Sequence, residues 1–272
     1  MPSTAVRHIQ ENSPPNRRLG RHVEHDPRSR NYAFTAPGKT YVSIDHVVEI
    51  PVMDQGRVGS CTGNAAQACC GSTLFLSNIP LDTSARPILG DPLKNQVQAL
   101  ALYSTATTLD SFYGSYPPTD TGSTGLAVAK AAKQAGLISG YLHTFTLDDC
   151  LKALCKSTVL IGVNWYTGFD VPAPDGRVRV KGVVRGGHEF LLYGIDAEKK
   201  VVKARNSWGT GWGNKGSFYF SFDDLGRLLS EQGDCTVFVP LTSAPPVPSE
   251  EKQDPDKVLA AAIEVWKKAK GL

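Results

Sequence analysis

At 272 residues the chain can bury the core of one large domain or two small ones without disulfide or metal staples. Its 41% hydrophobic and 20% charged residues are ordinary for a globular protein, and no apolar run approaches the roughly 20 residues of a membrane span. The formal charge of +3 is unevenly placed. Six arginines (Arg7, Arg17, Arg18, Arg21, Arg28, Arg30) stand before Lys39 against three acids (Glu11, Glu24, Asp26), so the remainder is nearly neutral. A basic arm of this size reads either as a solvated terminus or as an arm for an anionic ligand. Nucleic acid is not an expected partner of the chain as a whole.

Residues 1–40, rich in Pro, Arg, Asn and Ser and without apolar periodicity, read as an irregular N-terminal extension. The opening residues are polar and lack the apolar core of a secretory signal, so the expected localisation is cytoplasmic, or export by a non-standard route. An extended segment over 41–51 leads into a tight Asp-Gln-Gly turn. From Ser60 the pattern becomes helical, with Ala65, Ala66, Ala68, Cys69 and Leu74 on one stripe. Further helices are expected over 95–109, over 126–135 where Gly136 stops the run, and over 147–155 where Asp148 and Asp149 suit an N-terminus. The chain then changes character. Segments 159–166, 178–184, 189–195, 200–206 and 217–222 are β-branched or aromatic and separated by turn residues. Residues 244–272 read as a proline-rich linker followed by an amphipathic helix. Helices first and strands later describe an α+β catalytic-size unit over 41–243 with two sub-domains and a cleft between them.

Six cysteines (Cys61, Cys69, Cys70, Cys150, Cys155, Cys235) allow three bridges in number only. Two are adjacent and two share one short helix, so reduced thiols are the expectation. No CxxC pair exists and no histidine lies within a few residues of a cysteine, so neither a metal nor another cofactor is expected.

Three islands carry the chemistry: DQGRVGSCTGNAAQ (54–67), GGHEFLLYGID (186–196) and ARNSWGTGWGNKGSFYF (204–220). A thiol is a good nucleophile only as thiolate, and both a helix N-terminus and a nearby imidazolium favour that form. Cys61 stands where a glycine-containing turn meets a helical pattern, and His188 can supply the imidazole. Asn206 can hold the other ring nitrogen, and Gln55 with the Cys61 N–H can hold a developing oxyanion.

In order and spacing these motifs resemble the papain-like cysteine peptidases of the bacterial branch, over residues 45–240 or so. The intervals are 127 residues from Cys61 to His188 (188 − 61) and 18 from His188 to Asn206 (206 − 188). The resemblance implies a helical left half and an antiparallel β-barrel-like right half with the active-site cleft between them. It implies Cys61, His188, Asn206 and Gln55 as catalytic groups, and an acyl-enzyme route to peptide-bond hydrolysis of polypeptide substrates. Trp208 would shield the Asn–His bond, while Gly122, Ser123 and Gly187 would meet the substrate backbone. Residues 1–40 would be a short pro-segment lying along or near the cleft and restraining activity, as in a zymogen. Endopeptidase action follows from the lack of a paired-histidine insertion. The sequence departs from plant and lysosomal members in Thr62 after the nucleophile, in Val58 where many carry a disulfide cysteine, and in the shortness of the leading segment. An acyltransferase or amidase using the same groups, and a non-catalytic binding protein on the same fold, are the alternatives.

Overall fold

The structure is a computed structural model that describes residues 17–38 and 40–241; the expected linker and helix of 244–272 lie outside them. In chain order the elements are β1 (Ile44–Asp45), α1 (Cys61–Cys70), α2 (Thr73–Leu76), α3 (Pro92–Leu109), α4 (Gly125–Gln134), β2 (Gly140–Thr144), α5 (Leu147–Leu154), β3 (Val159–Tyr166), β4 (Val184–Asp196), β5 (Val201–Arg205), β6 (Ser217–Ser221), α6 (Phe222–Ser230) and β7 (Asp234–Val239).

Local chemistry starts most of the helices. The side chains of Asp91, Thr124, Thr146 and Ser221 accept hydrogen bonds from the first-turn amides of α3, α4, α5 and α6, which satisfies donors that a helix cannot pair internally. Pro92 opens α3, where its missing N–H costs nothing. The helix α1 differs: Ser60 makes no side-chain bond to its first turn. All ten residues of α1 are buried, Asn64 and Gln67 included, so this is a central helix rather than an amphipathic surface one.

Among the described residues the strands form one antiparallel sheet in the order β2-β7-β3-β4-β5-β6, with β1 added against β4. Period-two alternation divides its side chains between two cores. Leu160, Leu191 and Phe238 face the cluster built by α1 to α4. Ile161, Trp165, Phe190, Leu192 and Val237 face the second cluster, together with the tryptophans, α5 and α6. The helical half and the strand half are therefore packed back to back, as the α+β reading expects.

Several expectations need correction. The sheet is open, with β2 and β6 at its ends, so barrel-like is too strong a description of the strand half. Residues 178–183 are not a strand, and Val184 opens β4. Val178 and Val180 are buried, but the stretch makes only scattered main-chain bonds, from the Val178 amide to the Tyr219 carbonyl and from the Thr167 and Gly168 amides to the Val183 and Lys181 carbonyls. The strand β4 starts earlier than 189 and carries Gly186, Gly187 and His188 within it. Three elements had no counterpart in the sequence reading, namely β2, α6 and β7.

Residues 17–38 are irregular, as expected, but docked. Leu19, Val23 and Phe34 are buried, the Phe34 amide bonds the His143 carbonyl at 2.7 Å, and a 3-10 turn over Pro27–Tyr32 is capped by Asp26.

Candidate active site

Cys61 is the first residue of α1 and is fully buried. The loop ahead of it is fixed from two directions. The Gln55 amide N–H donates to the Ser207 carbonyl at 2.9 Å, and the Gly59 N–H donates to the Asp120 carboxylate at 2.9 Å. Gly56 has φ +57°, a left-handed conformation that glycine adopts without strain, so the chain can turn between these anchors.

The helix α1 packs against β4, the strand that carries His188 opposite Val163 of β3. His188 is wholly buried, and its Nε2 donates to Asn206 Oδ1 at 2.8 Å. The acceptor is an amide oxygen, so the proton belongs on Nε2, and Nδ1 is left as a base with no hydrogen-bond partner. Asn206 is itself held: its Oδ1 also accepts from the Ser207 N–H at 2.8 Å. The imidazole packs against two indoles that also touch each other, with ring centroids 4.8 Å from Trp165 and 4.9 Å from Trp208 and 4.8 Å between the indoles. Burial pushes its pKa down to about 3; the Asn206 bond opposes this, while the nearby Arg185 guanidinium reinforces it.

Gln55 completes the group. Its Oε1 accepts from Ser207 Oγ at 2.6 Å, which turns its Nε2 toward two carbonyls, those of Val58 at 2.9 Å and Arg18 at 3.0 Å. The second acceptor belongs to the N-terminal arm. The arm lies across the site on main-chain bonds: Gly20 and Arg21 N–H groups donate to the Gly187 carbonyl, Ser123 N–H donates to the Gly20 carbonyl, and His22 N–H donates to the Ser123 carbonyl, all at 2.8–3.1 Å. The pairing of Arg21 with Ser123 is parallel. Close approach here needs glycine twice. A Cβ on Gly20 would lie 2.0 Å from the Gly59 carbonyl oxygen, and one on Gly122 would lie 2.5 Å from the Gly20 carbonyl oxygen.

Thus Gln55, His188, Asn206 and Trp208 share one hydrogen-bonded and ring-stacked group, and Gly122, Ser123 and Gly187 come together on the arm. Of this last set, Ser123 and Gly187 supply main-chain bonds to the arm; Gly122 supplies clearance, and its own N–H donates to the Tyr103 hydroxyl oxygen at 2.8 Å. The sequence reading missed Ser207, which sets the direction of the Gln55 amide although it lies inside the Asn-Ser-Trp-Gly motif. It also missed Asp120, which accepts from Gly59 and pairs with Arg18 at 3.0 Å. Among the described residues no cluster of three or more His, Cys, Asp or Glu could hold a metal ion.

No family model and no curated protein matches the sequence. Solved structures do match. Xylellain, a cysteine protease from Xylella fastidiosa, superposes with a TM-score of 0.64 at 18% identity, over 88% of this chain and all of that one. Digestive procathepsin L2 proteinase from Tenebrio molitor larval midgut superposes with a TM-score of 0.49 at 17% identity, over 75% of this chain and 70% of that one. The fold is that of the papain-like cysteine peptidases. In this papain-like fold Cys61 lies in the helical half and His188 and Asn206 lie in the strand half, and the arm bridges the two through its main-chain bonds to Ser123 and Gly187.

Proposed function

We propose that the chain is a cysteine peptidase held shut by its own N-terminal arm. The observation that carries this reading is the state of His188: its Nε2 is tied to Asn206 at 2.8 Å, while Nδ1 is buried without a hydrogen-bond partner. A ring fixed at one nitrogen and open at the other is arranged to exchange a proton with a nucleophile.

The chemistry follows from the groups present. Cys61 Sγ passes its proton to His188 Nδ1 and, as thiolate, adds to a peptide carbonyl. The resulting oxyanion takes hydrogen bonds from Gln55 Nε2 and the Cys61 N–H, the latter in the first turn of α1. His188 gives its proton to the leaving amine as the C–N bond breaks, leaving a thioester on Cys61. Water then adds while His188 takes a proton back, and the acid leaves. Ser207 holds the Gln55 amide in the donating orientation, and Trp208 and Trp165 keep water from the His–Asn bond.

The arm opposes each step. Its Arg18 carbonyl occupies the Gln55 donor, its backbone holds Gly187 and Ser123, and its cover keeps His188 dry and neutral. Arg18 is clamped on Asp120, so Arg18→Ala should raise peptide turnover severalfold, and unchanged kinetics would reject the restraining role.

Incubation with an epoxide inhibitor of papain-like enzymes, followed by mass spectrometry, tests the catalytic reading. One adduct on Cys61, lost in His188→Ala, is expected from the Arg18→Ala chain. A chain that takes no adduct and cleaves no member of a peptide–dye library is not a peptidase.

A further inference from the structure

The strand β3 puts Gly162 directly between Glu189 of β4 and Asp234 of β7, since Gly162 pairs with both across the sheet. Neighbouring strands are about 4.8 Å apart, so two acidic residues flank, in one row, a position that has no side chain. A Cβ on Gly162 would lie 2.6 Å from Glu189 Oε2 and 2.9 Å from Asp234 Oδ1. Gly125, at the start of α4, leaves the opposite wall open in the same way, with Glu189 Oε1 and Asp234 Oδ2 at 2.9 and 3.0 Å from where its Cβ would be. The result is an acidic notch whose shape depends on two glycines.

The notch is built for a cation. Glu189 is wholly buried and neither of its oxygens has a hydrogen-bond partner. Burial and the Asp234 carboxylate both push its carboxyl well above the usual range, and only Arg21 pulls it down. Arg21 comes from the arm. It is 1% exposed, its Nη2 pairs with Asp234 and donates to the Gln232 carbonyl at 2.7 Å, and its Nε would lie 2.5 Å from a Cβ on Gly162.

The arm's bonds to Gly187 and Ser123 are main-chain only, so any extended peptide can replace them. Arg21 is different, because displacing it strips the wholly buried Glu189 and the partly exposed Asp234 of their cation, which is costly unless the incoming chain brings another. We propose that this notch is the specificity pocket of the peptidase, that it takes an arginine or lysine side chain of the peptide substrate, and that Glu189 and Asp234 enforce the choice. The inference rests on the peptidase reading of the Cys61 site. The arm places its carbonyl on Gln55 at Arg18 and fills the notch at Arg21. The two positions are three residues apart (21 − 18), so a peptide whose reacting carbonyl sits on Gln55 fills the notch with a residue within about three of the scissile bond.

The test uses the full chain carrying Arg21→Ala, which empties the notch. Peptide–dye substrates that move a single arginine, lysine, citrulline or leucine along the positions flanking the scissile bond are compared by kcat/KM. Arginine and lysine should exceed citrulline and leucine on the order of ten- to a hundredfold at one position, the range of a charge-assisted hydrogen bond. Adding Glu189→Gln and Asp234→Asn should bring that ratio to about one in a chain whose Cys61 still takes the epoxide. A ratio near one in the Arg21→Ala chain, or one that survives neutralisation of both carboxyls, overturns the proposal. A second measurement needs no turnover. Agmatine should raise the melting temperature of the Arg21→Ala chain relative to sodium chloride at equal ionic strength, and should do nothing in the neutralised chain. If no peptide is cleaved and Cys61 takes no epoxide, the peptidase reading fails; the agmatine shift still decides whether the notch selects a cation.

Discussion

His188 illustrates how a single side chain can report the state of the whole site. Covered by the arm, its ring is held down to about 3, with burial as the main cause. An unfolded chain would take up that proton below about 6.5, whereas the folded chain refuses it until about 3. Stability from this group is therefore full above pH 6.5 and drains as pH falls toward 3. The unfolding free energies of wild type and His188→Gln, measured by denaturant titration, should converge as pH drops through that window. A difference that is flat with pH would contradict a dry, neutral imidazole. Gly162 makes a second residue-scale case. Gly162→Ala puts a methyl against Arg21 Nε and Glu189 Oε2, an overpacking that typically costs about 1–3 kcal/mol. Because the strain falls on the arm's anchor, the expected signature is faster epoxide labelling of Cys61 together with a lower melting temperature. The glycine was visible in the sequence as an interruption of an apolar strand, VLIGVNWY. What it makes room for was not, because that depends on the register of three strands and on an arginine about 140 residues away (162 − 21).

At the scale of elements, legibility followed the locality of the forces. The expected helices over 95–109, 126–135 and 147–155 match α3, α4 and α5 to within a few residues, because caps and stop glycines act within one turn. Residues 178–184 show the limit. Alternating valines reported correctly that Val178 and Val180 are buried, yet burial does not provide a continuous strand partner, and the stretch finds only scattered bonds to Tyr219, Thr167 and Gly168. The helix α6 was missed for the opposite reason. It follows β6 without a turn, although Ser221 with Asp224 three residues on is a legible cap. The crossing of α1 and α3 supports a stability prediction. A Cβ on Gly63 would lie 2.1 Å from the Ala99 carbonyl oxygen and 2.9 Å from Tyr103 Cβ. Both helices are buried along this contact and neither atom is the tip of a flexible side chain. Gly63→Ala should therefore destabilise the fold by about 1–3 kcal/mol, read as a fall of several degrees in melting temperature with the sheet's far end unaffected in hydrogen exchange.

For the whole molecule, the lopsided charge of the sequence acquires a cause. Arg18 pairs with Asp120 and Arg21 with Asp234, while Arg17 lies over Trp208 with its guanidinium carbon 5.8 Å from the ring centroid. The basic arm thus matches acids of its own cleft, which composition could not reveal because the matching residues lie about 100 to 210 positions away. Gln55, Cys61, His188 and Asn206 could be singled out as candidates because short motifs carry them; the arm was expected only to lie along or near the cleft. Asp120→Asn with Asp234→Asn should loosen the arm more than either change alone. The check is hydrogen exchange at the His22 and Ser123 amides, which should quicken by at least tenfold in the double variant if the two ion pairs are the principal anchors.

On the proposed restraining role of the arm, the main-chain bonds of Gly20, Arg21 and His22 make the protein supply a rival for every visitor to its cleft, tethered and therefore present at high effective concentration. Any inhibitor added to the intact chain must wait for the fraction of molecules in which the tether has swung away, so its apparent dissociation constant is the intrinsic one divided by that fraction. A compound ranked as weak against the full chain can be strong against the open form, and the ratio of its two affinities would count how rarely the cleft stands empty.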